Sequence, residues 1–179
     1  MKRYLLTAAG RDRAGLVAAV SKILFENGCN LEDSAMTRLQ GEFAVLVIFS
    51  GPARATGVER ALRALGKKLA LAVQLRPLTA RESRAPKSAD NAVLVTVYGA
   101  DRPGIVHRVT DLLSRAKVNI TDLTTHRTAA PGHPSGYILL IEGEAPEGLT
   151  PVSLEDTLRA GVASPALTVG VKPLARQAL

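Results

Sequence analysis

The sequence predicts an α+β protein made of two tandem domains. One observation behind this prediction is an internal repeat, in which residues 5–38 align with residues 94–127 at a constant offset of 89 and without a gap. Another is that both copies alternate strand-like and helix-like apolar patterns in the order β-α-β-β-α-β. Twelve of the thirty-four aligned positions are identical, where ordinary residue frequencies give roughly two or three. In the first copy these positions are Leu5, Thr7, Gly10, Asp12, Arg13, Gly15, Val17, Val20, Leu24, Asn30, Asp33 and Arg38.

The length of the repeat sets the domain boundaries. A period of about 90 residues suits two small domains and is too long for a solenoid of short repeats. We expect domains over residues 1–78 and 92–175. Residues 79–91 contain three cationic and two acidic side chains and almost no large apolar residue, and they are predicted to be a linker.

The composition narrows the class of protein. An apolar fraction of 46% fits a folded globular chain, and a single cysteine excludes an intrachain disulfide framework and a cysteine-based zinc site. The N-terminus lacks the apolar core of a signal peptide, and no run of about 18 apolar residues exists, so we expect a cytoplasmic location without membrane contact. The net charge of +7 is compatible with nucleic acid but also with a solvated arginine-rich surface.

The first half of the first copy reads as a strand followed by a helix. Residues 4–9 form a short apolar run that ends at Gly10 and predicts a strand. Asn27-Gly28 is a typical helix end, since glycine accepts the left-handed conformation after the last turn. The side chains expected on the buried face of this helix are Leu16, Val17, Val20, Ile23 and Leu24.

The second half of the first copy reads as a hairpin, a helix and a strand. Strands are predicted over residues 31–39 and 43–49, with a turn at Gln40-Gly41-Glu42. A helix is predicted from Val58 to Leu65, stopped by Gly66. A last strand is predicted over 69–75, ended by Pro77.

The second copy repeats this order, with a longer hairpin over residues 128–136. Right-handed crossovers turn each β-α-β-β-α-β unit into a ferredoxin-like four-stranded antiparallel sheet with both helices on one face. The remaining predicted strands cover 93–98, a stretch from 120 onward, 137–142 and 167–172. One further helix is predicted over 154–160. The other has an apolar face formed by Ile105, Val106, Val109, Leu112 and Leu113.

The strand over 43–49 is apolar on both sides. Phe43, Val45, Val47 and Phe49 alternate with Ala44, Leu46 and Ile48. We therefore expect the helix-free face of the sheet to be covered by another domain or by a second chain, as in a homodimer.

Polar residues that recur between the copies mark the candidate site. Asp12 lies where the first strand passes into the first helix, and Asn30 lies where the second strand begins. An aspartate before a helix is often an N-cap, and an asparagine after one is often a turn residue, so a structural role is open for each. The helix between them spans about 18 Å, which puts Asp12 and Asn30 at opposite ends of one domain.

Two domains placed side by side and head to tail would bring Asp12 close to Asn119, and Asp101 close to Asn30. A helix N-terminus suits a ligand carboxylate, and a carboxylate with an amide carbonyl suits an ammonium group, so the combination complements a free amino acid. The candidate ligand-binding residues are Asp12, Arg13, Ala14, Gly15, Leu16, Asn30, Leu31 and Asp33 in the first copy, and Asp101, Arg102, Pro103, Gly104, Ile105, Asn119, Ile120 and Asp122 in the second.

At these residues the chain resembles the ACT domain family. The resemblance rests on the element order, on Gly-x-Asp-Arg-x-Gly in both copies, and on Asn-Leu-Glu-Asp-Ser from Asn30 to Ser34. As a stand-alone pair of such domains, the chain is similar to the family of glycine cleavage system regulatory proteins, which are transcriptional repressors. Ala14 stands where the family has proline, and the second copy lacks the glutamate and serine of that run.

The resemblance implies a non-enzymatic regulator without a cofactor. It implies a small amino acid, glycine or serine, as the effector and a transcription factor as the protein partner. It also implies a role in transcriptional regulation of glycine and one-carbon metabolism. No helix-turn-helix pattern is visible, so we expect no direct specific contact with DNA.

Two other functions remain open from the sequence. RNA recognition motifs share this strand order and stack bases on third-strand aromatics, and Phe43 and Tyr137 occupy such positions. A regulatory subunit of an enzyme of amino-acid metabolism is also compatible with the pattern. An enzyme is disfavoured, because the three histidines do not recur between the copies and no nucleophile or phosphate-binding motif is present.

Overall fold

The computed structural model describes residues 1–82, 91–128, 136–162 and 167–174. By its internal contacts the chain divides into two compact units between residues 86 and 87, a point within the predicted linker. The longer hairpin predicted over 128–136 lies mostly outside the described residues.

Each unit has the predicted element order. In the first unit the elements are β1 (Lys2–Arg11), α1 (Leu16–Glu26), β2 (Asn30–Leu39), β3 (Glu42–Gly51), α2 (Thr56–Leu69) and β4 (Ala72–Pro77). In the second they are β5 (Ala92–Ala100), α3 (Ile105–Arg115), β6 (Asn119–Thr128), β7 (Gly136–Glu144), α4 (Pro151–Val162) and β8 (Leu167–Pro173).

The two sheets have the same topology. Their strand orders are β2-β3-β1-β4 and β6-β7-β5-β8, and the neighbouring strands run antiparallel. The α+β class with two ferredoxin-like units is therefore confirmed. The edge strands are β2 and β4 in the first sheet, and β6 and β8 in the second.

Each unit has its own core between its sheet and its helices. Phe49 and Leu6 are fully buried in the first core, and Leu139 and Ile141 in the second. The alternation along β3 is confirmed, since Phe43, Val45, Val47 and Phe49 are buried whereas Leu46 on the other side is 48% exposed.

The predicted buried face of the first helix needs one correction. Leu16, Val20 and Leu24 are buried as expected, but Val17 is 52% exposed. Only Leu16, Val20 and Leu24, spaced four residues apart, line the core directly, because the buried stripe of this 11-residue helix is narrow. Ile23 is half-buried and packs at its margin.

The predicted end of the second helix is wrong. Gly66 lies inside α2, which continues to Leu69 and ends at Ala70 in the left-handed conformation, φ 53°. Gly66 is buried against the sheet, and a Cβ there would lie 2.9 Å from the Leu71 carbonyl oxygen. The glycine is needed for close packing, and the strand predicted from residue 69 begins at Ala72. The predicted helix over 154–160 is likewise longer, since α4 spans Pro151–Val162.

The first residues of the predicted linker form a local turn. The Thr79 backbone N–H and hydroxyl donate to the Glu82 carboxylate at 2.9 and 2.8 Å, and Arg76 pairs with Glu82 at 2.8 Å. These bonds lower the pKa of Glu82 to about 2, the Thr79 backbone bond most of all. The exposed carboxylate ties the end of β4 to the start of the linker.

Candidate functional site

The loops before α1 and α3 share one backbone geometry. Gly15 and Gly104 are the N-cap residues, and both have φ 88° and ψ 0°. Neither helix has a side-chain cap, so the alternative that Asp12 and Asp101 act as N-caps is wrong. The first-turn amides of both helices thus keep free N–H groups beside the positive end of the helix dipole.

The repeated aspartates are paired with repeated arginines. Arg38 Nη1 lies 3.5 Å from Asp12 Oδ2, and Arg127 Nη2 lies 2.6 Å from Asp101 Oδ2. The arginines are largely exposed, whereas the aspartates are more sheltered. Sequence reasoning assigned these arginines no role, although their recurrence at the offset of 89 was the signal that could have found them.

The next residues of each loop differ in what they offer a ligand. Arg13, Ala14, Arg102 and Pro103 are exposed, so their side chains and backbone are accessible. The side chains of Leu16 and Ile105 are buried in the cores at 2% and 7% exposure. These two predicted site residues can therefore contribute only their backbone amides.

A small cavity lies at the start of α3. It has a volume of about 140 Å³. Arg108 belongs to its wall and donates to the Val162 carbonyl oxygen at 3.3 Å. Its lining residues are Arg102, Pro103, Gly104, Ile105, Arg108, Val162 and Leu167.

The second group of predicted site residues lies at the start of β2 and β6. Both strands carry a bulge at the same repeat position, at Glu32 and at Thr121, where the register with the neighbouring strand shifts. Asn30, Asp33, Asn119 and Asp122 are exposed around these bulges, Leu31 is 45% exposed, and Ile120 is half-buried against its core. A bulge re-aims nearby side chains, and this one recurs in both units.

The surroundings of the two asparagines differ. Asn119 Nδ2 donates to Glu144 Oε2 at 3.3 Å, which leaves the Asn119 carbonyl oxygen as an acceptor beside a carboxylate. Asn30 lies opposite Ser50, the residue equivalent to Glu144. In the first unit Glu32, two residues after Asn30 on β2, pairs with Arg3. The end of the second unit thus carries a carboxylate that the repeat pattern did not reveal.

Within one unit the two groups of site residues are far apart. Asp12 follows Arg11, which lies opposite Glu42 at one end of β3, whereas Asn30 lies opposite Ser50 at the other end. The intervening α1 has 11 residues and is roughly 16 Å long. Asp12 and Asn30 therefore lie at opposite ends of the unit, as expected.

The aromatics that would serve RNA stacking are unavailable. Phe43 is 3% exposed beneath the helices, and Tyr137 is half-buried against the second core. RNA recognition motifs present these aromatics on the open face of the sheet. The described residues also contain no group of three or more histidine, cysteine, aspartate or glutamate side chains that could hold a metal ion. No helix among them is long and apolar enough to cross a membrane.

Comparison with known proteins agrees with the fold and with the repeat. Residues 2–76 match one model of the ACT domain and residues 93–150 match another. The glycine cleavage system transcriptional repressor of Escherichia coli K12 is 31% identical over 162 residues, covering 89% of this chain and 84% of the repressor. The chain belongs to the tandem ACT-domain family of this repressor. The repressor of Shigella flexneri gives the same figures.

Solved structures show the same fold at lower identity. An unknown protein from Galdieria sulphuraria superposes with a TM-score of 0.80 at 23% identity, covering 97% of this chain and 99% of that one. A candidate glycine cleavage system transcriptional repressor gives a TM-score of 0.72 at 20% identity, covering 98% of both chains. Membership of this ACT family gives the chain a regulatory role.

Proposed function

We propose that this tandem ACT-domain protein is a non-enzymatic regulator that senses a small amino acid, glycine or serine, and acts through contact with a transcription factor. The observation that carries the proposal is the 31% identity over most of both chains to a protein named a glycine cleavage system transcriptional repressor. The pathway it regulates would then be glycine and one-carbon metabolism.

The proposed effector site lies between two domains placed head to tail. The ligand carboxylate faces the free amides around Arg13 to Leu16 or Arg102 to Ile105, next to the positive helix ends. Support for this polarity comes from the uncapped helices and from the cavity of about 140 Å³ at the start of α3.

The ligand ammonium contacts an aspartate from one domain and an asparagine from the other. Asp101 acts with Asn30, and Asp12 acts with Asn119. Because each aspartate already binds an arginine, the ammonium shares that carboxylate with Arg127 or Arg38. Glu144 beside Asn119 adds a carboxylate to the second pairing and makes the two sites unequal.

The proposed assembly buries the helix-free sheet faces. Leu46 is 48% exposed on this face, and Leu5 and Ile48 beside it are half-buried. Covering them in a homodimer removes apolar surface from water. Sedimentation equilibrium of the full chain and of Leu46→Glu tests this, since the dimer should weaken in the variant. A wild type that is monomeric at all concentrations contradicts it.

A thermal-shift screen tests amino-acid sensing. Because a ligand that binds only the folded state raises the melting temperature, glycine or serine should raise it among the twenty amino acids. The shift should shrink in Asp101→Ala and persist in Lys22→Ala, whose side chain is 71% exposed on α1. If no amino acid at millimolar concentration shifts the melting temperature, sensing by this chain is wrong.

A further inference from the structure

A basic groove runs along the outer edge of β4 in the first unit. Its main part has a volume of about 560 Å³, and a second cavity of about 120 Å³ adjoins it. Both are lined by Arg63 and Val73, so they are neighbours, and we call the two together the α2–β4 groove. The other lining residues are Arg60, Ala64, Gly66, Lys67 and Leu71 in the main part, and Glu59, Leu62, Gln74 and Leu75 in the second.

The corresponding edge in the second unit is closed by its own helix. The Val171 backbone N–H donates to Glu155 Oε2 at 2.7 Å, and Arg159 Nε donates to the Val169 carbonyl oxygen at 3.3 Å. These bonds satisfy backbone groups that an edge strand would otherwise present to an incoming chain. They also show that Val169 and Val171 direct these groups outward, away from β5.

The strand register identifies the equivalent groups in the first unit. Val95 and Val97 face Val171 and Val169, and their repeat partners Leu6 and Ala8 face Leu75 and Val73. The outward groups of β4 are therefore those of Val73 and Leu75. Pro77, which has no N–H, limits pairing at the end of the strand.

The helix residues that close the second edge have counterparts in α2, but these do not reach β4. The two helices can be aligned by their buried positions, which have the same spacing. These are Val58, Leu62 and Gly66 in α2, and Leu154, Leu158 and Val162 in α4. The alignment matches Glu59 with Glu155 and Arg63 with Arg159. Arg63 binds Glu59 at 2.6 Å. Within residues 1–82 neither side chain bonds the backbone of Val73 or Leu75, so Glu59 and Arg63 do not close the edge of β4 as Glu155 and Arg159 close that of β8.

The charge beside the open edge is strongly positive. Arg60, Lys67 and Lys68 are exposed on α2, and within the described part of the chain none of them has an ion-pair partner. The position of Arg60 is held by Asp156 in the second unit, so the two edges differ in charge as well as in hydrogen bonding.

We propose that the α2–β4 groove binds an extended acidic segment of a partner protein as an added strand beside β4. The free backbone groups of Val73 and Leu75 would pair with the segment, and Arg60 and Lys67 would contact its carboxylates. This inference deepens the proposed function and rests on it for the existence of a protein partner.

The same observations disfavour two other occupants. Pairing of β4 with β4 of a second copy would bring two cationic α2 helices side by side on one face of a joined sheet, and their like charges repel. A nucleic acid would satisfy the cations but supplies no strand to pair with Val73 and Leu75. An acidic extended peptide satisfies both features.

The test uses the full chain and a fluorescein-labelled ten-residue peptide of alternating glutamate and threonine, followed by fluorescence anisotropy. We expect binding that weakens with salt, and about tenfold weaker binding by Arg60→Asp, which reproduces Asp156 of the second unit. Lys22→Asp makes the same charge change at an exposed position of α1, and this variant should bind the peptide like the wild type. Asp156→Arg tests the closed edge and should create no second site, because Val171 and Val169 remain hydrogen-bonded.

Two further probes decide between strand pairing and simple charge attraction. The same peptide N-methylated at alternate residues keeps its charge but cannot pair, so it should lose binding. If it binds as well as the unmodified peptide, or if ten-nucleotide single-stranded DNA competes with the same dependence on Arg60, the proposal is overturned. Equal peptide affinity of wild type and Arg60→Asp also overturns the proposal. So does the finding that two copies of the chain pair through β4 and that the peptide only dissociates this dimer.

The amino-acid melting screen is independent of this groove. If the peptide binds but no amino acid shifts the melting temperature, the groove proposal is supported and amino-acid sensing is contradicted. An amino-acid shift without peptide binding would do the reverse.

Discussion

Gly15 and Gly104 are the residues on which the candidate site most depends locally. Both adopt φ 88°, a left-handed conformation that costs a residue with a Cβ roughly 1–2 kcal/mol. This conformation turns the chain from the strand into the helix without a side-chain cap, which leaves the first amides open. A Cβ at either glycine would meet no heavy atom within 4 Å, so conformation and not crowding explains the glycine.

Gly15→Ala and Gly104→Ala should each lower the free energy of unfolding by about 1–2 kcal/mol. Gly41→Ala is the matched control, because Gly41 also has no atom within 4 Å of a Cβ but lies outside the left-handed region. Urea denaturation measures all three. A loss at Gly41 as large as that at Gly15 would mean that the left-handed conformation is not the cause.

The recurrent polar residues show what sequence can and cannot reveal at this scale. The fixed offset of the repeat is enough to single out Asp12, Asp101, Asn30 and Asn119. It could not show that the aspartates bind arginines, since that pairing depends on how β1 and β2 flank β3. Glu144 was missed altogether, because its counterpart Ser50 does not share its chemistry.

At the scale of elements, α2 shows tertiary packing overriding a local signal. Glycine disfavours a helix interior, and this led to the prediction that the helix stops at Gly66. In the structure the helix passes through Gly66 because any larger residue would collide with the strand beneath it. The existence of the elements followed from periodicity, but this boundary followed from packing.

Gly66→Ala should therefore destabilise the protein despite the higher helix propensity of alanine. The added Cβ would lie 2.9 Å from the Leu71 carbonyl oxygen and 3.0 Å from Val73 Cγ2, and overpacking of this kind typically costs about 1–3 kcal/mol. Ala64→Gly, at an exposed position of α2, gives the propensity effect alone, about 1 kcal/mol. A Gly66→Ala variant more stable than the wild type in thermal melts would show that the contact is easily relieved.

For the whole molecule, the repeat predicted the organisation well. The two cores share no residue, and each has a leucine at the same place in its second helix, Leu62 at 1% and Leu158 at 0% exposure. From the proposed division into 1–78, a linker over 79–91 and 92–175, we expect the two units to be separate in stability.

Leu62→Ala and Leu158→Ala test that independence and serve as each other's control. Each should cost about 2–5 kcal/mol, because it leaves a cavity in a packed core. Native-state hydrogen exchange should show faster exchange within 1–78 for the first variant and within 92–175 for the second. If either variant speeds hydrogen exchange equally in both units, the two units unfold as one and the prediction is contradicted.

The proposed effector site combines an aspartate of one domain with an asparagine of another. It is tested by calorimetric titration of the amino acid with the largest melting shift, using wild type, Asp101→Ala, Asn30→Ala and the double variant. Each single change should weaken binding by about 1–3 kcal/mol, the two should be non-additive, and Asn119→Ala should instead couple to Asp12→Ala. Stability should change little in Asp101→Ala, because its partner Arg127 is 72% exposed. Strict additivity of Asp101→Ala and Asn30→Ala, or unchanged affinity in both, would contradict the shared site.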